Sequence, residues 1–375
     1  MPGAVAWLEE WNDYNQTAHR AHARVWREGV ARVEGATFLF VKMVEVWRGA
    51  LVESEHHGVA AVANAAGEIV EGWGDTALVT YPRSALKPVQ AIALVESGAY
   101  ASHGLTSRHL ALACASHRGE PFHTELVGAW LNDLGLVQSA LACGPDHPAD
   151  QASAAAAIRA GHPVQRIYHN CSGKHCGFLT VAQHRGWPVE GYERIEHPTQ
   201  QLYLDSLSDL LGRNARALSF GVDGCALPAA ALPVKEMAVM MARFAAAGIT
   251  SPSRRAAILA IHAAMRAHPE YISGTDQPGV QVARVTQGRV IVKTGAEGFL
   301  MAYVPQQGLA AVLKIADGEA RARFPALIAL LSAVGLLDVS EQRELARVAE
   351  PPVLNSAGAT VGRICACGFE RRVTV

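Results

Sequence analysis

No apolar run in this 375-residue chain approaches the roughly 20 residues that span a bilayer, so no transmembrane helix is predicted. The opening residues, MPGAVAWLEEWNDYNQTAHRAHARVW, lack the basic-then-apolar order of a secretory leader, and the expected location is the cytoplasm. Charge of one sign is also missing. The formal net charge is −1 with no long like-charged run, which argues against a nucleic-acid or membrane partner and suits a small-molecule protein. Aromatic residues make up only 6% against 50% apolar overall, so the core is expected to be Ala, Val and Leu. The seven cysteines are scattered and include no Cys-x-x-Cys pair. That pattern fits reduced thiols or ligands better than a disulfide framework.

The length allows one large or two ordinary domains with a substantial core. Residues 1–42 read differently from the rest: Trp7, Trp11 and Tyr14 recur at helical spacing before an Arg- and His-rich stretch, and Met43 offers a second start. They are expected to be a poorly ordered extension or an over-read start, the alternative being a helix packed on the body. From 43 to about 80 the pattern is strands and turns, with a turn at Ala66-Gly67. Helical patterns occupy 84–98, 122–134, 172–185, 197–212, 233–247, 251–267 and 318–335. Strands return in RVIVKTG, GFLMAYVP and GLAAVLKIAD, with a last one near 358–369. Strands at both ends with helices between predict an α+β fold, one antiparallel sheet built from both terminal regions around an inserted helical lobe. No repeat, low-complexity segment or linker divides residues 43–375.

Ser84 and Lys87, in TYPRSALKPVQ, stand three apart at the start of a helical pattern, so both project from one face. A neutral lysine beside a serine hydroxyl takes its proton and makes it a nucleophile. Lys293-Thr294-Gly295 ends a late strand pattern, and Ser-x-x-Lys followed by Lys-Thr-Gly is the order of serine β-lactamases and penicillin-binding proteins. Ser116, in LACASHRGE, precedes a turn and is a second cleft serine that Lys293 would serve; the plainer reading is a cap for the helix at 122–134. Cys171, Lys174, His175 and Cys176 cluster in YHNCSGKHCGF, and Cys225 lies in the Gly-flanked GVDGCALP. Thiols and nitrogen donors in distant loops suggest a zinc site, with lysine a donor only as the free amine. Ordinary buried thiols are the alternative. Asp223 would pair with a substrate ammonium, and Arg83 would hold a substrate carboxylate; the alternative for each is an ordinary surface charge. Cys365 and Cys367 look like small strand residues and carry no assignment.

Taken together, YPRSALKPVQ, ACASHRGE, HNCSGKHCGFL and GVDGCALP resemble the blocks of the L-asparaginases of the rhizobial inducible type, the asparaginase II-like class 3 enzymes. The resemblance runs from about Met43 to near the C-terminus. It implies a fold similar to serine β-lactamases and glutaminases, a homodimer, and hydrolysis of L-asparagine to L-aspartate and ammonia. It pairs Ser84 with Lys87 and Ser116 with Lys293, gives zinc the ligands Cys171, Lys174 and Cys225, and makes Arg83, His175 and Asp223 pocket residues. Some members carry a further cysteine between the second thiol ligand and the strand lysine. Here none lies between Cys225 and Cys365, which implies weaker or partial zinc binding.

The implied chemistry is attack by Ser84 on the side-chain amide, an acyl-enzyme, and its hydrolysis. Backbone N–H groups near Ser84 and the Lys293 strand are the expected oxyanion donors. Ser84 is favoured as nucleophile because it precedes a helix, whose dipole and free N–H groups help. Zinc is expected to be structural or affinity-tuning. The alternatives are a glutaminase, a β-lactamase-like or D-alanyl peptidase serine hydrolase, and a metal-binding or regulatory protein on a degenerate enzyme fold.

Overall fold

In a computed structural model the chain is described over residues 30–33, 36–248 and 251–369. Its main feature is an eight-stranded antiparallel sheet: β1 (Val41–Arg48), β2 (Leu51–Asn64), β3 (Ile69–Trp73), β4 (Ile291–Thr294), β5 (Phe299–Val304), β6 (Leu309–Ile315), β7 (Pro352–Leu354) and β8 (Thr360–Ala366). The spatial order is β4–β5–β6–β2–β1–β8–β7, with β3 also paired to β2. Strands from the two ends of the chain therefore interleave, as the α+β reading expects. At 14 residues β2 is long enough to hold both groups. Its first half pairs with β1, and its second half takes β3 on one flank and β6 on the other.

Nine helices of seven residues or more are found among the described residues: α1 (Ser107–Ala113), α2 (Pro121–Asp133), α3 (Gln151–Arg159), α4 (Ser172–His184), α5 (Pro198–Leu211), α6 (Val234–Ala246), α7 (Pro252–Ala267), α8 (Pro278–Val285) and α9 (Arg323–Ala333). Strand alternation feeds two cores. Phe299, Met301 and Tyr303 of β5 pack with the helices inserted between β3 and β4, whereas Leu300, Ala302 and Val304 pack toward α9 on the opposite face. The sheet is thus covered on both sides, which is why all six residues of β5 are buried. No described helix is long and apolar enough to cross a membrane.

Four expectations are adjusted. The helix predicted over 84–98 is broken into a 3₁₀ turn, Arg83–Leu86, and two short helical pieces, Lys87–Gln90 and Ile92–Glu96. Pro88 lies within the first of these helical pieces and supplies no N–H to bond back toward Ser84. The helix predicted at 318–335 starts as a 3₁₀ turn, Ala320–Ala322, before α9. The last strand, β8, has an unforeseen edge partner in β7. The expected extension, 1–42, lies outside the described residues as far as 29, and β1 begins inside it, at Val41. Ahead of β1, residues 30–33 and 36–39 pair as a hairpin.

Candidate active site

Ser116 is the meeting point. It follows α1, and its N–H donates to Ile272 O at 2.8 Å. Lys293 Nζ lies 2.8 Å from Ser116 Oγ and Lys87 Nζ 3.1 Å from it. Both lysines are fully buried. Lys293 sits on β4 opposite Met301, and this register turns it toward the helical lobe where Met301 packs. Lys87 opens its short helix and reaches two backbone carbonyls, those of Ala115 and Asn170.

Burial drives the Lys293 ammonium well below the usual lysine range, and the neighbouring Lys87 adds to the effect. Burial lowers Lys87 as well, partly opposed by the Cys171 sulfur. The pairing of Ser84 with Lys87 is not made here: Lys87 turns to Ser116, 29 residues away. Ser84 Oγ makes no hydrogen bond among the described residues, and neither does the Ser84 N–H. Gly295 N, by contrast, is committed to Phe299 O at 2.9 Å.

Two helices fix this cluster. Gly173 at the start of α4 lies against Leu112 of α1 so closely that a Cβ there would fall inside contact distance of the Leu112 carbonyl. His117 Nε2 donates to Ser172 Oγ at 2.8 Å, and its Nδ1 accepts from Gly119 N at 3.1 Å. These bonds settle the neutral tautomer, and burial holds the ring well below its ordinary value. The loop carrying Ser116 is thereby tied to the helix carrying Lys174.

Beside the lysines lies a sulfur-and-amine cluster. Lys174 Nζ donates to Cys225 Sγ at 3.0 Å. The Cys171 thiol faces Asn170 Oδ1 at 3.0 Å. A bond to Cys225 holds Cys171 well below the ordinary thiol value, while the same bond raises Cys225. Burial works against the Lys174 charge, but the Cys171, Cys225 and Asp223 charges outweigh it and raise the amine. Among the described residues no group of three or more His, Cys, Asp and Glu side chains is arranged to hold a metal. Two sulfurs and one amine nitrogen do converge, a donor set that suits zinc once the amine is neutral.

Asp223 and Cys225 share the tip of a hairpin formed by Phe220–Val222 and Pro228–Ala230. Arg83 Nε and Nη2 both lie 2.8 Å from Asp223 Oδ1. Arg83 adopts φ +48°, an unusual conformation for a residue with a Cβ. His175 Nδ1 bonds the Tyr192 hydroxyl at 2.5 Å, while its buried Nε2 has no partner among the described residues. Cys176 is buried on α4, Cys365 lies on β8, and all seven cysteines are free thiols.

A cavity of about 170 Å³ opens beside Ser116 and Thr294, walled by α7, α8, β4 and the start of α9. Sequence reasoning missed Asn170, Tyr192 and this cavity. Asn170 stands inside a quoted block, so the signal was present; Tyr192 and the cavity arginines have no local signature.

Several solved structures resemble the chain at low identity. A β-lactamase from Mycobacterium bovis is 17% identical, with TM-score 0.38, over 78% of this chain and 95% of its own. A class C β-lactamase from Rhodobacter sphaeroides is 16% identical, with TM-score 0.37, over 74% and 94%. A D-alanine carboxypeptidase from Burkholderia cenocepacia is 13% identical, with TM-score 0.34, over 78% and 92%. No curated protein matches the chain. The family model described as L-asparaginase II matches residues 44–366.

Proposed function

The chain belongs to the L-asparaginase II family, and from that premise we propose that it hydrolyses L-asparagine to L-aspartate and ammonia through a serine nucleophile and an acyl-enzyme. The observation that carries the reading is Ser116 Oγ held between two fully buried amines. Neutral Lys87 has two N–H donors, and two carbonyls stand ready for them, those of Ala115 and Asn170. Its lone pair then faces Ser116. Lys293 donates to the same oxygen, so the three groups form a unit that accepts a proton and returns it.

Ser84 is assigned the attack. Its hydroxyl is unengaged, its own N–H is free to receive the developing oxyanion, and Arg83 precedes it. Ser84 Oγ bonds to the side-chain carbonyl carbon, and its proton enters the Lys87–Ser116–Lys293 cluster. Collapse breaks the C–N bond, the nitrogen takes a proton from the cluster, and ammonia leaves. Water deprotonated by the same cluster then cleaves the ester and releases aspartate.

Arg83 and Asp223 offer an α-amino acid what each now offers the other: a guanidinium for its carboxylate and a carboxylate for its ammonium. His175 Nε2 is a further free polar atom for the substrate. Zinc would be held by Cys171, Lys174 and Cys225. When bound it supplies positive charge that keeps the sulfurs deprotonated and the Lys174 amine neutral.

A second reading makes Ser116 the attacking oxygen, favoured by the present contact of both amines. Ammonia release from L-asparagine, with L-glutamine and a β-lactam in parallel, tests the function. One methylene separates the two amides, worth about 1–3 kcal/mol in a fitted pocket. Mass spectrometry of the quenched acyl-enzyme then locates the ester on Ser84 or Ser116. Inertness toward asparagine combined with acylation by the β-lactam would overturn the asparaginase reading.

A further inference from the structure

Three arginines, Arg118, Arg266 and Arg323, line the cavity beside Ser116, and among the described residues no aspartate or glutamate lines it. None of the three is in an ion pair among the described residues. Arg118 donates to the Ala149 carbonyl, and Arg323 Nη1 donates to Gly295 O at 3.0 Å. Nearby carboxylates are engaged elsewhere. Glu120 accepts from the N–H and hydroxyl of Thr275, and Asp150 caps α3 through Ser153. The first turns of α8 and α9 also face the space, through Pro278, Gly279 and Phe324. Helix N-termini add further positive potential to the guanidinium groups. The cavity is therefore electropositive, unneutralised and open to one side of the proton-holding cluster.

Its position gives that charge a meaning. Arg83 and Asp223 do not line the cavity, and Pro82, next to Arg83, packs on the end of β4, where a Cβ on Gly295 would come within 2.6 Å of Pro82 O. One anion-holding group thus lies next to Ser84, and a separate set lines the cavity with Ser116 and Thr294. Ser116 is the member of the cluster that lines the cavity, so on the proposed mechanism a nitrogen protonated there leaves into it. Ammonia needs neither the space nor the charge.

Building on the asparaginase reading, we propose that this chamber receives a carboxylate carried on the leaving amine, so that the enzyme also hydrolyses β-aspartyl amides with an acidic amine portion, such as a β-aspartyl dipeptide. The bonds change as for asparagine. Ser84 Oγ bonds to the β-carbonyl carbon, the C–N bond breaks, and the nitrogen takes the cluster's proton and leaves as an amino acid. Water cleaves the ester to give aspartate.

The test compares L-asparagine, β-aspartylglycine and β-aspartylglycinamide on the full chain. The expected kcat/KM for β-aspartylglycine exceeds that for the neutral glycinamide by about tenfold or more, the size of a charged hydrogen bond. Arg266→Gln, an exposed site on α7, and Arg118→Gln should each remove about that factor for β-aspartylglycine and leave L-asparagine turnover unchanged. Equal turnover of glycine and glycinamide compounds overturns the proposal. So does turnover of asparagine alone, or an equal loss on asparagine in both variants, which would make the chamber the α-carboxylate pocket. Inertness of all three substrates would overturn the asparaginase reading and this proposal with it.

Discussion

Arg83 and Asp223, 140 residues apart in the chain, meet at 2.8 Å beside Ser84. On the proposed reading an α-amino acid parts them to bind, its carboxylate taking Arg83 and its ammonium taking Asp223. Asp223→Asn therefore raises KM for asparagine by about tenfold or more while kcat changes less, because the lost contact is to the non-reacting end. Arg83→Gly separates backbone from charge. It relieves the φ +48° conformation by up to about 1 kcal/mol but leaves the nearly buried Asp223 without its cation, and KM rises. A KM that falls would contradict this.

Activity should have an acid limb set by the buried lysines. Lys293 must be neutral to share in the proton cluster, and its ammonium is held well below the ordinary lysine range. Below that lowered value the amine is charged and turnover is lost; above it turnover is retained. Lys293→Met should cost about 10²–10⁴ in kcat. An acid limb unchanged in Lys293→Met would detach this residue from the titration.

Stability has its own pH dependence. His123 and His262 are buried and held down to about 4 by desolvation. The unfolded rings protonate near 6.5, so between about 6.5 and 4 the unfolded state binds more protons and stability falls as pH falls. Each ring contributes roughly 3 kcal/mol when the loss is complete. Denaturant melts across that window check the sign, and His262→Leu should flatten the slope.

Gly173→Ala tests the contact between α1 and α4. Alanine favours a helix, but its Cβ meets the Leu112 carbonyl and, at 2.6 Å, Leu112 Cγ. Overpacking of about 1–3 kcal/mol outweighs the helix gain. The variant should melt lower and lose activity, since this seam joins Ser116 to Lys174. A higher melting temperature would refute the seam.

Metal content is the simplest check on the sulfur cluster. Native protein should carry zinc by elemental mass spectrometry, and Cys225→Ser should not. Chelation is expected to raise KM and spare kcat; loss of turnover at saturating asparagine would give the metal a direct part in the reaction.

The sequence was legible where chemistry is local. The Ser-x-x-Lys and Lys-Thr-Gly blocks, the helical stripe from Phe122 to Leu134 and the alternation in β4–β6 all stand in short windows, because each follows from one residue's neighbours along the chain. What was not legible depends on packing across long separations. Nothing near Lys87 announces that its amine turns to Ser116, since that choice rests on the carbonyls of Ala115 and Asn170. Arg118, Arg266 and Arg323 come from three distant segments, and only the fold makes them neighbours. The break at Pro88 was readable, but the apolar stripe running to Glu96 masked it.

The interleaving of early and late strands bears on how this protein is born. As the ribosome releases the chain, β2 emerges early, yet the flank that β6 will occupy stays bare until residues 309–315 appear. Throughout synthesis of the helical insert, the nascent chain carries an unsatisfied β-edge, a hazard for mispairing and a natural target for a chaperone. Lys293 arrives on the same late segment. A chain stalled before it has both serines and only one of the two amines, so synthesis must pass β4 before Lys87, Ser116 and Lys293 can come together.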